Sequence, residues 1–153
     1  MSESIKIYVA SSWRNPFQAD VVKALRGEGH EVYDFKNPWG EEDKGFHWTE
    51  IDPEWKSWSP SRFRTALDHQ IAVKGFDTDF GAMEWADACV LVMPCGRSAH
   101  LEAGYFVGAG KPLYILLSDG EPELMYRMAS EVCVNLDEVL SKLGGRSFTR
   151  VEQ

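Results

Sequence analysis

The sequence predicts a doubly wound α/β fold, because short apolar segments alternate with amphipathic ones along most of the chain. Five apolar segments have the length and composition of β-strands. Strands that alternate with helices form βαβ units with a parallel sheet and right-handed crossovers. With one long excursion between the second and third strands, these units fit a flavodoxin-like or Rossmann-like three-layer sandwich, whose five parallel strands have the order 2-1-3-4-5.

The first half of the fold begins with an apolar, β-rich segment from Ile5 to Ala10. Asn15-Pro16 predicts a helix start with proline in the first turn, and glycines at 27 and 29 end that helix. Residues 31–35 form the second short strand. The order strand, helix, strand over about thirty residues is typical of one βαβ unit.

The second half repeats the alternation with clear punctuation. In chain order, it contains a buried strand at 88–92, a small-residue helix at 99–108, a strand at 113–117, a helical stretch near 123–130, a strand at 132–134 and a terminal helix at 136–143. Gly110-Lys111-Pro112 marks the turn from helix to strand. These elements supply the third, fourth and fifth strands of the predicted sheet.

The excursion between the second and third strands is rich in tryptophan. It contains Trp39, Trp48, Trp55 and Trp58, and within it only residues 61–74 have a helical pattern. A long loop in a compact domain is a lid, a binding loop or a disordered segment, and so many tryptophans disfavour disorder. We therefore predict a single domain over residues 1–153 with a Trp-rich insertion at about 36–76.

Composition excludes several classes of partner. The net charge is −8 and the chain has no run of Lys and Arg, so nucleic acid is an unsuitable ligand. The three cysteines show no paired metal spacing, which favours free thiols in a reducing compartment, and we predict neither a metal nor an organic cofactor. Ser-Glu-Ser and then a strand follow Met1, and the apolar runs are strand-sized. These features predict a cytoplasmic protein without a signal peptide or membrane span.

The segment from Met93 to Gly104 carries the strongest functional signal. It follows a buried strand, turns through Gly96 and Ser98 and opens a helix, so that free backbone N–H groups and the helix dipole form an anion site. We place Glu102 on the first turn of that helix. A carboxylate there is either a charge that stabilises the helix end or a catalytic group that faces the ligand.

Three segments converge if the predicted topology is correct. They are the loop 11–15 after the first strand, the segment 77–79 that begins the helix before the third strand, and the turn 96–102. Together they contribute hydroxyls, an arginine, helix-end N–H groups and two carboxylates, Asp79 and Glu102. Cleavage of a glycosidic bond requires such a pair, since one carboxylate attacks or stabilises the anomeric carbon while the other handles protons.

Each of these side chains also has a purely structural interpretation. Asp79 is an N-cap in that interpretation, and Glu102 only stabilises the helix dipole. The serines cap helices, Arg97 is a solvated loop charge, and Arg14 pairs with an acid such as Asp20. His100 lies at the surface or the edge of the cleft rather than acting as a catalyst, and the tryptophans pack. Only the convergence of several such residues favours the functional interpretation.

The chain resembles the nucleoside 2-deoxyribosyltransferase superfamily, which includes 2′-deoxynucleoside 5′-monophosphate N-glycosidases. The resemblance rests on Val90-Leu91-Val92-Met93-Pro94, Ser98 and Glu102-Ala103-Gly104, together with the strand Ile5–Ala10 and Asp79 ahead of Ala86-Asp87. The resemblance implies that Glu102 is the nucleophile and that Asp79 assists protonation. It also implies a homo-oligomer, such as a dimer, in which residues near 123–126 of a neighbour close the site. The chain departs from the family pattern at His100, where glycine is frequent, and in the Trp-rich insertion.

This resemblance implies that the N-glycosidic bond of a nucleoside 5′-monophosphate, or of a nucleoside, is cleaved or transferred by double displacement. The chain has no acid between Asp87 and Glu102, which favours a phosphate-bearing substrate. Trp39, Phe46 or Trp48 is predicted to stack on the base. The predicted substrate-binding residues are Tyr8, Ser11, Ser12, Arg14, Gly96, Arg97, Ser98 and Trp48.

Two other functions stay open. Residues 94–102 also resemble the phosphate loop of cytokinin-activating phosphoribohydrolases, although Cys95, Ser98 and Ala99 break that pattern. The second alternative is a nucleotide-sensing module of the same fold that binds without turnover. A sensor has little use for a carboxylate beside a phosphate, because like charges repel.

Overall fold

The computed structural model describes residues 3–38, 40 and 43–145. The strands are β1 (Lys6–Ala10), β2 (Glu31–Asp34), β3 (Ala88–Val92), β4 (Leu113–Leu116) and β5 (Glu131–Cys133). The α-helices are α1 (Gln18–Gly27), α2 (Pro60–Ala66), α3 (Gln70–Trp85), α4 (Arg97–Gly108) and α5 (Leu136–Gly145). Three short 3-10 helices span Trp48–Glu50, Trp55–Ser57 and Leu124–Met128.

The five strands form one parallel sheet in the order β2-β1-β3-β4-β5, which confirms the predicted topology. Ala10 of β1 pairs with Leu91 of β3, and Leu91 pairs with Ile115 of β4. The carboxyl ends of β1 and β3 are therefore adjacent. This is the switch point at which ligands bind in open α/β sheets.

Helices cover both faces of the sheet. On one face, β1 and β3 present Ile7, Val9 and Val90 to a core that also contains Val21 and Leu25 of α1 and Val139 and Leu143 of α5. The alternate side chains of the strands point to the other face, because successive residues of a strand alternate. There, Tyr8 packs against Phe106 of α4.

The chain divides into two compact units. One contains Met1–Tyr33 and Trp85–Gln153, and the other contains Asp34–Glu84. The predicted Trp-rich insertion falls within the second unit. The single domain over residues 1–153 stays a prediction.

The second unit has its own aromatic core. Trp48 makes edge-to-face contacts with Phe46, Trp58 and Phe63, at centroid distances of 4.8, 5.7 and 5.5 Å. Gly75 of α3 lies so close to Phe46 that an added Cβ would be 2.8 Å from the Phe46 Cβ. Aromatic packing of this kind gives the insertion a defined structure although it has little regular secondary structure.

Several predicted helix boundaries are wrong. Helix α1 begins at Gln18 rather than at Pro16, because the side chain of Asn15 accepts a hydrogen bond from the Phe17 N–H and holds the chain in a turn. The single helix expected at 61–74 is interrupted at 67–69. Its first part, α2, has Ser59 as N-cap and Pro60 as first residue. The helical stretch predicted near 123–130 is present as a short 3-10 helix, Leu124–Met128.

Candidate active site

The candidate site lies where β1 and β3 end. The loop 11–15 follows β1, and the turn 93–96 connects β3 to α4. The turn contains a cis peptide bond between Met93 and Pro94. Because the two strands pair directly, their following loops meet at the carboxyl edge of the sheet.

Four side-chain hydrogen bonds join the loop to the turn. The Ser11 hydroxyl donates to the Val92 carbonyl at 2.9 Å, and the Gly96 N–H donates to Ser12 Oγ at 2.8 Å. The Asn15 side-chain amide donates to the carbonyls of Val92 at 3.2 Å and Pro94 at 2.8 Å. Loop and turn thus form one hydrogen-bonded unit.

These bonds determine what the predicted binding residues still offer a ligand. Ser11 has used its hydrogen and presents only oxygen lone pairs, since a hydroxyl has one donor and two acceptor sites. Ser12 accepts from Gly96 and keeps its own hydrogen for donation. The sequence predicts the Gly96 N–H as a donor to the ligand, but this N–H already donates to Ser12 Oγ. The donor available at this place is therefore the hydroxyl of Ser12.

The remaining polar groups of this region are accessible. Arg14 is exposed in the loop, and Arg97 and Ser98 are exposed as the first two residues of α4. The N–H groups of the first helical turn have no partner within the helix, and they carry the positive end of its dipole. This corner therefore combines hydroxyl, guanidinium and backbone donors, a set that suits a phosphate.

Glu102 is half-buried on α4. The helix begins at Arg97, so Glu102 is on its second turn, and the predicted position on the first turn is wrong. Ser98 precedes it by four residues and shares its side of the helix. Phe106 follows it by four residues and packs against Tyr8, so Glu102 lies one turn above that buried contact.

The negative charge of Glu102 reaches two thiols. Burial raises the pKa of Cys95 to about 11, with the Glu102 carboxylate as the second cause. Burial likewise raises the pKa of Cys89, on β3, and Glu102 again contributes to the increase. The charge of Glu102 therefore acts on one thiol in β3 and on another in the turn that follows this strand.

Tyr8 is fully buried on β1. Its ring stacks on Tyr33 at a centroid distance of 5.3 Å and lies tilted against Phe106 at 5.7 Å. Direct contact with a ligand, as the sequence predicted, therefore requires the residues that cover it to move. In the described structure Tyr8 packs against Phe106, which lies one turn of α4 beyond Glu102.

His100 connects the turn to a distant segment. One ring nitrogen, Nδ1, is 2.8 Å from the Gly96 carbonyl, and the other, Nε2, is 2.8 Å from the Tyr126 hydroxyl. Since a carbonyl only accepts, Nδ1 carries a proton. The two rings also stack at 5.7 Å. His100 is thus half-buried and structural, and nothing in the sequence signals its contact with a residue 26 positions away.

Asp79 and Trp48 belong to the second unit. The sequence placed Asp79 at a helix start, but it is the tenth residue of α3, half-buried in the middle of that helix. The N-cap interpretation of Asp79 is therefore wrong. Trp48 lies in the aromatic core of its unit, and Trp39 lies outside the described residues. Convergence of Asp79 with Glu102 stays a prediction.

Two features of this region are not evident from the sequence. Asn15 is buried and makes three side-chain hydrogen bonds: one to Val92 at the end of β3, one to Pro94 in the turn that follows, and one to Phe17. The Asn-Pro pair signalled only a helix start. Trp13, 42% exposed beside Ser12, adds an aromatic surface to the loop. Exposed aromatic residues next to polar donors are typical of ligand sites.

The described part of the chain contains neither a metal centre nor a membrane-spanning helix. Within residues 3–38, 40 and 43–145, no three His, Cys, Asp or Glu side chains are grouped so that they could hold a metal ion. No helix in those ranges has the length and hydropathy needed to span a bilayer.

Comparison with known proteins adds evidence on the fold. No protein-family model and no curated protein matches the sequence. A solved 2-deoxyribosyltransferase from Bacillus psychrosaccharolyticus is similar in structure, with a TM-score of 0.59 and 23% identity over 88% of this chain and 89% of that one. This chain has the 2-deoxyribosyltransferase fold. A CMP N-glycosidase from Clostridium botulinum matches with a TM-score of 0.48 and 16% identity over 90% of this chain and 97% of that one.

The resemblance predicted from the sequence is therefore confirmed at the level of the fold. In this fold, the loop 11–15 and the turn 93–96 lie at the switch point of the sheet, and α4, which carries Glu102, begins directly after that turn. Fold alone does not assign a reaction, because function depends on the residues of the site.

Proposed function

We propose that this protein cleaves or transfers the N-glycosidic bond of a nucleoside 5′-monophosphate, with Glu102 as the nucleophile. The observation that carries the proposal is the position of Glu102. A half-buried carboxylate lies one turn into α4, directly after a corner of hydrogen-bond donors at the switch point. A site that only bound phosphate would gain nothing from this charge.

The proposed reaction has two steps. In the first, a Glu102 carboxylate oxygen attacks C1′ of the sugar, and the bond from C1′ to the base nitrogen breaks. The base leaves with the electron pair and takes up a proton, delivered through Asp79 or water. In the second step, water or a nitrogen of another nucleobase attacks C1′ and loses a proton to Asp79 or to water. This attack releases the sugar from Glu102 and yields a free sugar phosphate or a new nucleotide.

Phosphate recognition is proposed for the donors at the loop and the helix end. Ser12 offers its hydroxyl hydrogen, Arg14 its guanidinium, and Arg97 and Ser98 the start of α4. Accepting the Gly96 N–H polarises the Ser12 hydroxyl and makes it a stronger donor. The absence of any acid between Asp87 and Glu102 in the sequence also supports a nucleotide over a free nucleoside.

The experiment is a screen of matched ribo- and deoxyribonucleosides and their 5′-monophosphates, with chromatography of the released base. We expect base release with a monophosphate, and a loss on the order of 10⁴ in Glu102→Ala, because the covalent step disappears. The control is Glu28→Gln, an exposed residue beyond the end of α1, which should leave turnover unchanged.

Three outcomes would contradict parts of this proposal. Near-normal turnover in Glu102→Ala would exclude the covalent mechanism. If the protein binds a nucleotide tightly without releasing base, and Glu102→Gln binds it equally tightly or more tightly, the sensing function would be favoured instead. A preference for free nucleosides would overturn the phosphate assignment while leaving the nucleophile intact.

Asp79 has a matched control on its own helix. Asp77 lies two residues earlier on α3 and is exposed, whereas Asp79 is half-buried. We expect Asp79→Asn to lower kcat by about 10²–10⁴, the usual contribution of a general acid or base, and Asp77→Asn to have no effect. Equal rates in the two variants would remove Asp79 from the mechanism.

A further inference from the structure

Asn15 is the buried polar residue that connects the starts of two helices. It is 6% exposed, in the loop between β1 and α1. Its side-chain oxygen accepts the Phe17 N–H at 2.7 Å, and its side-chain nitrogen donates to the carbonyls of Val92 and Pro94. Phe17 is the N-cap of α1, and residues 92–94 lead into α4. The side-chain amide of Asn15 therefore holds the backbone that precedes α1 and the backbone that leads into α4.

The Pro94 carbonyl depends on this contact. Proline has no N–H, so its carbonyl is the only backbone hydrogen-bonding group at that position. The Val92 carbonyl has a second donor in Ser11, whereas in the described structure the bond to Pro94 comes from Asn15. Loss of the amide nitrogen would leave the Pro94 carbonyl without this partner and loosen the turn 93–96.

Asn15 also holds Ser12 through the backbone. The Asn15 N–H donates to the Ser12 carbonyl at 3.0 Å, closing a turn whose inner residues are Trp13 and Arg14. Ser12 Oγ in turn accepts the Gly96 N–H at 2.8 Å. Asn15 therefore bonds to the loop that carries Ser12 and Arg14 and also to the residues that lead into α4. Through these bonds it helps to set the distance between the loop and the start of the helix.

We propose that Asn15 is a positioning residue that makes the site selective for nucleotides over nucleosides. The inference rests on the proposed function, in which Ser12, Arg14 and the α4 N-terminus bind the phosphate. Asn15 has no exposed polar group for the ligand, so it acts through the register of loop and turn. A phosphate needs donors from the loop and from the start of α4 at the same time, so its binding depends on how these two segments are aligned. A nucleoside has no phosphate and does not depend on that alignment.

The test compares two isosteric substitutions of asparagine by aspartate. Asn15→Asp keeps the acceptor for Phe17 but replaces both donors with an oxygen that faces two carbonyls. Asn135→Asp is the control, because Asn135 is exposed and its side-chain oxygen only accepts, from the Glu138 N–H. Aspartate preserves that acceptor role.

We expect Asn15→Asp to lower kcat/KM for the monophosphate by about tenfold or more, since a displacement of 1 Å can cost a factor of 10². The value for the matched nucleoside should fall by a smaller factor, because only the phosphate needs donors from both loop and turn, and Asn135→Asp should match the wild type for both. An equal loss for nucleotide and nucleoside would overturn the positioning role.

A second readout is independent of turnover. Amide hydrogen exchange at Gly96 reports the bond to Ser12 and should become faster in Asn15→Asp, with Asn135→Asp unchanged. Unchanged Gly96 exchange would refute the proposal. If Asn15→Asp does not fold, Asn15→Ser keeps one donor and should show faster Gly96 exchange and a lower kcat/KM for the monophosphate than the wild type. If the wild type releases no base, the proposed function fails, and Gly96 exchange still decides whether Asn15 sets the register.

Discussion

Glu102 is the residue on which the proposed chemistry depends, and Cys95 reports its charge. The thiol has a pKa raised to about 11, first by burial and then by the Glu102 carboxylate. A negative neighbour disfavours the thiolate, so removal of that charge lowers the pKa of Cys95. The thiol thus measures where the carboxylate is without any assumption about substrate.

We expect Cys95 to be alkylated slowly near pH 7 and faster as the pH rises towards 11, because only the thiolate reacts. In Glu102→Gln the profile should move to lower pH, because a lower pKa leaves a larger fraction of the thiol ionised at any pH below it. The measurement is the rate of iodoacetamide labelling at Cys95, followed by mass spectrometry.

Cys133 is the internal control for this labelling experiment. Burial raises its pKa to about 11 as well, but the negative charges that contribute are those of Glu138 and Glu131. Its profile should be the same in wild type and in Glu102→Gln. A changed profile at Cys133, or an unchanged one at Cys95, would contradict the placement of the Glu102 carboxylate.

The candidate residues illustrate what a sequence can predict. Glu102 was identifiable because it follows a strand, a glycine turn and a helix start within a dozen residues, all local signals. Asn15 and Tyr126 were not, since their partners lie 77, 79 and 26 positions away. Contacts of that kind exist only after the sheet has brought separate loops together.

Among the elements, α3 departs most from the prediction. The sequence predicts helical character at 61–74 and a second helix that begins at 77–79 and leads to β3, whereas one continuous helix, Gln70–Trp85, forms across both stretches. Its two internal glycines, Gly75 and Gly81, lower helix propensity and concealed this continuity. Tertiary packing resolves the conflict, because Phe46 occupies the space beside Gly75.

These glycines form a matched pair. At Gly81 nothing lies within 4 Å of an added Cβ, so Gly81→Ala should raise the free energy of unfolding by about 0.5–1 kcal/mol through helix propensity. At Gly75 the added Cβ would be 2.8 Å from the Phe46 Cβ. Overpacking of this kind costs about 1–3 kcal/mol, so Gly75→Ala should destabilise the protein.

Urea unfolding monitored by tryptophan fluorescence measures both variants under the same conditions. Gly75→Ala should cost less in a Phe46→Ala background than in the wild type, because that background lacks the Cγ and Cδ1 atoms that would lie 2.9 and 3.1 Å from the added Cβ. Stabilisation by Gly75→Ala alone would show that Phe46 does not pack against α3.

For the whole molecule, the order of the sheet could be predicted because each strand is a short apolar run and each crossover has the length of one helix. The division into two compact units was not predicted. The aromatic core of the second unit forms from Phe46, Trp48, Trp58 and Phe63, whose spacing has neither the period of a strand nor that of a helix. A core built from irregular loops leaves no periodic signal in the sequence.

The first unit leaves an apolar surface exposed, which bears on the predicted homo-oligomer. The hydrogen bond between His100 and Tyr126 brings the start of α4 beside the 3-10 helix Leu124–Met128. Four apolar residues within two sequence positions of His100 or Tyr126 are more than half exposed: Leu101 (78%), Leu124 (78%), Met125 (60%) and Met128 (54%). Exposed apolar patches of this kind are typical of protein–protein interfaces.

We expect the protein to sediment above the 17.3 kDa of one chain, and Leu124→Asp combined with Met125→Asp to sediment as a monomer. Burying two charges in an apolar interface costs several kcal/mol, enough to dissociate a dimer at micromolar concentration. Phe76→Ser is the control, because Phe76 is 62% exposed on the second unit and should not affect assembly. A monomeric wild type would remove the predicted oligomer, whereas dissociation by Phe76→Ser alone would move the interface to α3.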